Sequence, residues 1–149
     1  MKQNLGFIYE SARRASGLTQ ERWSEYLGVS AEAVRGYESG AYFPTDEVLL
    51  RMADISGVKA LPYWHLSQKS RVAAEILPEL SDGKTIPEAV LGLLIRIEDF
   101  REDSMKELMR IAEDGKITED ERETYRLAMR RLQEMIRAAY ELGYAKETP

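Results

Sequence analysis

The chain has 149 residues, 44% of them hydrophobic, which is enough to bury a core as one ordinary domain or two small ones. Its formal charge of −5 argues against indiscriminate nucleic-acid binding, because phosphate neutralisation supplies most non-specific affinity. The absence of cysteine excludes disulfides, thiolate nucleophiles and zinc–thiolate sites, and a single histidine argues against an all-protein transition-metal centre.

In chain order, Asn4 is positioned to cap a first helix with Leu5, Ile8, Tyr9 and Ala12 on its inner side and Gly17 at its end. Thr19 is a good N-cap for a second helix, whose Trp23, Tyr26 and Leu27 recur at helical spacing before Gly28 interrupts. Gly28 gives the backbone freedom for a sharp reversal, Val29 offers an apolar plug, and small Ser24 faces the turn. Ser30 then caps a third helix with Ala33, Val34 and Tyr37 inward and Gly40 at its end. Two short helices joined in this way have the spacing of a helix-turn-helix, whose second helix enters the DNA major groove. Thr45 caps a fourth helix carrying Val48, Leu49, Met52, Ala53 and Ile55 inward, and Leu61 to Leu66 predicts a short fifth. His65 reads as a surface or interface side chain rather than a ligand.

The run Leu18-Thr-Gln, Leu27-Gly-Val-Ser, Tyr37-Glu-Ser-Gly, then Pro44 and a further amphipathic segment resembles the lambda-repressor-like, Cro-type helix-turn-helix regulators, the XRE family. The resemblance spans roughly residues 5 to 58. It implies a five-helix DNA-binding domain, double-stranded DNA as partner, and an ion pair between Arg13 and Glu38 that holds the motif together, the alternative being two solvated charges. Gly28 and Val34 are then structural parts of the motif. It also implies that Gln20, with the N-terminal helix amides beside Thr19, contacts backbone phosphate; the alternative is a surface glutamine on a capped helix.

The outward positions of the third helix are Ser30, Ala31, Glu32, Arg35 and Gly36, and base-edge reading belongs to such residues. Arg35 can pair bidentately with guanine or grip a phosphate, Glu32 can accept from a cytosine amino group, and Ala31 can touch a thymine methyl. Arg35 and Glu32 can also neutralise each other at i, i+3. Tyr42 either donates its hydroxyl to phosphate or packs over Pro44. Residues 1–57 carry six basic against eight acidic side chains, so even this region is not basic, and a second copy is needed to supply further contacts.

Beyond this domain, placed at residues 1–68, residues 69–149 read as a helical region. Arg71 to Leu80 predicts an amphipathic helix broken by Pro78. A long helix begins at Thr85 with Glu88 as its capping box and runs through Val90, Leu93, Leu94, Ile97, Phe100, Met105, Leu108 and Ile111. A second opens at Thr118 with Glu121 and places Tyr125, Ala128, Leu132, Met135, Ala139 and Leu142 inward. Joined at Asp114-Gly115-Lys116, they predict an antiparallel hairpin that pairs two protomers. The turn DGKITEDE resembles the back half of an EF-hand loop, but that register puts Arg110 and Ala112 at ligand positions, which rejects calcium.

No catalytic constellation stands out, and no residue calls for a metal or cofactor. There is no long uncharged apolar run, and the start MKQNLGFIYESARR lacks the features of a signal peptide. The expectation is an all-α, soluble, cytoplasmic protein with no membrane association. It acts as a homodimeric regulator of transcription on a roughly palindromic site, a repressor rather than an activator. The alternative is a helix-turn-helix-fold protein-interaction module, such as an antitoxin or adaptor, with weak or no DNA binding.

Overall fold

Side-chain hydroxyls start the motif helices. Thr19 Oγ1 accepts from the Arg22 amide at 3.3 Å, Ser30 Oγ from Ala33 at 3.0 Å and Thr45 Oγ1 from Val48 at 3.4 Å, each satisfying an amide that the helix itself leaves without a partner. In the computed structural model, which describes residues 6–81 and 83–148, these caps open α2 (Gln20–Leu27), α3 (Ala31–Ser39) and α4 (Asp46–Ser56). α1 (Phe7–Ala15) precedes them with Gly6 at its N-cap. The expected cap Asn4 and core residue Leu5 lie outside the described residues.

The chain forms two compact units, Met1–Leu77 and Pro78–Pro149. In the first, α1 to α4 and α5 (Leu61–Lys69) surround one core, and α6 (Arg71–Ile76) follows α5. Ile8, Tyr9 and Ala12 of α1 meet Trp23 and Leu27 of α2, Val34 and Tyr37 of α3, Leu49 and Met52 of α4, and Leu61 of α5. Tyr26 is a correction: it is 54% exposed, and buried Ser24 takes the inward place beside Trp23 and Leu27. α6 packs on α5 and therefore belongs to this unit, with the boundary at residue 77 rather than at 68. It stops at Ile76 and buries none of its residues, so the amphipathic helix expected to reach Leu80 is shorter.

The second unit consists of α7 (Ile86–Asp103), α8 (Met105–Asp114) and α9 (Arg122–Gly143). Glu88 accepts from the N–H and hydroxyl of Thr85 at 2.9 and 2.8 Å, as its spacing predicts. The single long helix expected after Thr85 is two: α7 ends at Asp103, where Arg131 of α9 donates to the Asp99 carbonyl at 2.6 Å and to the Asp103 carboxylate. The chain restarts as α8 after buried Ser104. Glu121 likewise accepts from the N–H and hydroxyl of Thr118, but the residues between them form turns and α9 begins at Arg122. Its inward row contains Ala128, Ala138 and Glu141, while Ala139, expected inside, is exposed.

The far end of this unit is closed by a carboxylate. Glu141, buried on α9, accepts from the Ser81 amide at 2.9 Å, from Lys84 Nζ and from Arg137 Nε at 3.2 Å. Backbone bonds between residues 84–86 and Lys146 continue the closure, with Ile86 N donating to Lys146 O at 2.9 Å and Lys146 N to Lys84 O at 3.0 Å. Among the described residues the protein is thus all-α, with one isolated bridge between Thr85 and Lys146 and no strand, and no helix is long and apolar enough to cross a membrane.

Candidate nucleic-acid interface

The turn between α2 and α3 is braced from three sides. Gly28 sits at φ 68°, a left-handed conformation that costs other residues a Cβ clash. Ser24, buried beneath the turn, donates its hydroxyl to Glu21 O at 2.7 Å, and its carbonyl accepts from Val29 N at 3.1 Å. Arg51, reaching over from α4, donates to Leu27 O at 2.8 Å and satisfies a carbonyl at the open end of α2. Nothing in the local sequence pattern marked Arg51 for this role. With Val34 and Tyr37 buried beneath it, α3 has a fixed orientation and an outer face set by its helical period.

A second brace ties the motif to α1. Arg13 donates through Nε to Glu38 Oε1 at 2.5 Å and through Nη2 to Oε2 at 3.0 Å, and its Nη1 reaches Leu18 O at 2.9 Å. The two side chains are only 13% and 8% exposed, so they are a partly buried, bidentate pair and not two solvated charges. The hydrogen bond to Glu38 raises the Arg13 pKa above its ordinary value, against the opposing effect of burial.

Gln20 joins this brace. Its Nε2 donates to Glu38 Oε2 at 2.8 Å, which fixes the amide at the start of α2 beside the Thr19 cap. One N–H of that amide is thereby used. The other N–H keeps its capacity to donate to a phosphate oxygen, and the carbonyl oxygen can still accept from water.

On the outer side of α3, Ser30 spends its oxygen on the Ala33 cap and keeps a hydroxyl proton to donate. Ala31 is half-buried, and Glu32 and Arg35 are exposed. The i, i+3 neutralisation of Arg35 by Glu32 is absent: Arg35 has no ion pair or hydrogen bond among the described residues. Its five donors therefore face water and are available to a guanine edge or a phosphate.

Gly36 has a reason that the sequence did not show. The ring of Tyr42 lies against it so closely that a Cβ there would stand 2.3 Å from Tyr42 Cζ. The same ring meets the buried Tyr37 edge-on, with centroids 5.5 Å apart, and its hydroxyl points toward Glu32 O at 3.5 Å. Tyr42 thus lies along the outer face of α3 between Glu32 and Gly36. A bare helix position is covered by an aromatic side chain from the following loop.

Thr19, Gln20, Ser30, Glu32, Arg35 and Tyr42 accordingly lie on or beside the motif, with Arg35 the one unengaged cation on α3. Two neighbouring arginines are already engaged, Arg22 with Glu25 at 2.6 Å and Arg51 with Leu27 O. No cluster of potential metal ligands occurs among the described residues. Residues 10–61 match a family model described as a helix-turn-helix domain. The match takes in most of α1 and all of α2, α3 and α4, about a third of the chain. No curated protein and no solved structure matches the chain.

Proposed function

We propose that this protein is a sequence-specific transcriptional regulator of the lambda-repressor-like, XRE kind. It binds double-stranded DNA as a homodimer in the cytoplasm, represses rather than activates, and catalyses no reaction. Arg35 carries this reading: it is an exposed guanidinium without an ion pair on the outer face of a helix that is capped by Ser30 and braced by Arg51 and by Arg13–Glu38. A pre-positioned arginine in a major groove discriminates guanine by two parallel hydrogen bonds. Two copies present their reading helices about 34 Å apart, on a roughly palindromic site. The second copy matters because a single motif offers few cations for phosphate.

Tyr42 favours a second reading, a protein-interaction module such as an antitoxin or adaptor. An aromatic laid over Gly36 next to acidic Glu32 leaves less of α3 for base edges. Enrichment from a random duplex pool, run with wild type and Arg35→Ala together, separates the two. The regulator reading expects an inverted repeat with half-sites about 10 base pairs apart, affinity that falls steeply with salt, and loss of specificity in Arg35→Ala. A folded protein that enriches no sequence would replace it with the interaction module.

A further inference from the structure

The second unit leaves several of its large apolar side chains outside. Among its described residues the fully buried apolar ones are Ala89, Ile111, Ala128 and Ala138, three of them alanines. By contrast, Leu91, Leu94 and Ile95 of α7 are 62%, 53% and 58% exposed. At i, i+3 and i+4 they form one continuous patch. Buried Ala89 and half-buried Leu93, Arg96 and Phe100 mark the side that α7 turns toward α9, and helical periodicity puts Leu91 and Ile95 on the opposite side. So slender a core beside such a patch is the pattern of a surface that another chain covers.

The charges beside the patch fit a second copy of the same helix. Glu88 stands six residues before Leu94, and Arg101 six residues after Ile95. When two α7 helices lie antiparallel about an axis between Leu94 and Ile95, each Leu94 meets the other copy's Ile95, and each Glu88 meets the other copy's Arg101. A parallel alignment puts Glu88 on Glu88 and Arg101 on Arg101. Among the described residues Arg101 is held only by Glu98, an exposed i, i+3 pair that costs little to rearrange.

We propose that the outer face of α7 is a self-association seam, antiparallel and two-fold about the midpoint of Leu94 and Ile95. It deepens the two-copy part of the regulator reading and rests on it, but its test needs no DNA. The chain has no cysteine, so Leu94→Cys and Glu102→Cys each introduce a single thiol into the full-length protein. In the antiparallel pair the two copies of residue 94 flank the two-fold axis, whereas those of residue 102 lie roughly 22 Å apart along the helices at about 1.5 Å per residue. Mild oxidation is therefore expected to give a covalent dimer with Leu94→Cys and none with Glu102→Cys. Cross-linking of both would mean a parallel alignment and overturn the seam. Cross-linking of neither, in a chain that sediments as a dimer, would overturn the seam and leave the two-copy reading standing, while a monomeric chain would overturn both. The double variant Leu91→Lys/Ile95→Lys alters exposed positions only. With its helical circular dichroism intact, it is expected to weaken dimerisation roughly hundredfold, and an unchanged dimer constant would equally sink the seam.

Discussion

Tyr9 and His65 meet in the core of the first unit, with Tyr9 Oη 2.7 Å from His65 Nδ1. Tyr9 is fully buried and His65 is 3% exposed, and the imidazole also packs edge-on against Phe43. His65 was expected as a surface or interface side chain; it is instead a core residue that links α1 to α5. Burial raises the Tyr9 phenol to about 12 and pushes the His65 imidazole below its ordinary 6.5. Lys69 lowers it further, against a smaller opposite effect of Asp46. The other ring nitrogen, Nε2, has no hydrogen-bond partner among the described residues, so a protonated ring would carry an uncompensated N–H into the core.

Acid sensitivity of the first unit follows. A depressed folded-state pKa contributes stability that is fully present above the unfolded value of 6.5 and is lost as pH falls through the lower, folded value. Both tryptophans, Trp23 and Trp64, lie in this unit, so their fluorescence reports its unfolding. The unfolding free energy of the wild type from denaturant titration is expected to fall as pH drops below 6.5, with a slope of up to about 1.4 kcal/mol per pH unit. His65→Phe should flatten that slope. An undiminished slope in the variant would assign the acid sensitivity to another group.

The Arg13–Glu38 pair should be worth more than a surface ion pair because both side chains are largely shielded. Glu38→Gln leaves the guanidinium partly buried without its counter-charge and replaces one of the two oxygens that accept from Arg13 and Gln20 by a donor. A loss of about 3 kcal/mol is expected, or a fall in Tm on the order of 10 °C followed by tryptophan fluorescence. Arg14→Ala, whose partner Glu10 shares an exposed i, i+4 pair, is the control and should change Tm by no more than a few degrees.

Gly36 and Tyr42 should be coupled, and the coupling should change sign. Glycine to alanine inside a helix ordinarily stabilises by about 0.5–1 kcal/mol. With Tyr42 present the new methyl collides with its ring, so Gly36→Ala is expected to destabilise. With Tyr42→Ala as the background, the same substitution should stabilise by about 0.5–1 kcal/mol. A double-mutant cycle by denaturant unfolding reads this directly, and additive effects would mean that the ring does not rest on Gly36.

Glu141 should make the second unit dependent on a buried carboxylate. Burial alone would raise its pKa, but the hydrogen bonds from Lys84, from Ser81 and from Arg137 outweigh it and hold the group at about 2, below the ordinary 4.5. Its contribution is therefore present above pH 4.5 and is lost as pH falls through about 2. Glu141→Gln is expected to cost about 3 kcal/mol at neutral pH, seen as an earlier loss of helical circular dichroism. The gap to wild type should close in strong acid. A gap that persists there would trace the loss to packing rather than to the charge.

The sequence by itself determined helices α1 to α5 of the first unit and the outer face of α3. Thr19, Ser30 and Thr45 cap helices through their own neighbours, Gly28 turns the chain where it stands, and the inward rows follow from a period of 3.6 residues; all of these are short-range causes. Arg13 and Glu38 were legible as partners only through the family pattern, since nothing local joins residues so far apart in the chain. In the second unit, by contrast, the same signals placed α9 too early and ran α7 into α8, because no local signal marks the break at buried Ser104. The rest was decided by the tertiary structure for the same physical reason. The burial of His65, the ring of Tyr42 over Gly36, Arg51 closing α2 and the grip on Glu141 each depend on a side chain from another element. A one-dimensional pattern records which face a residue occupies, and the packing alone decides what that face meets.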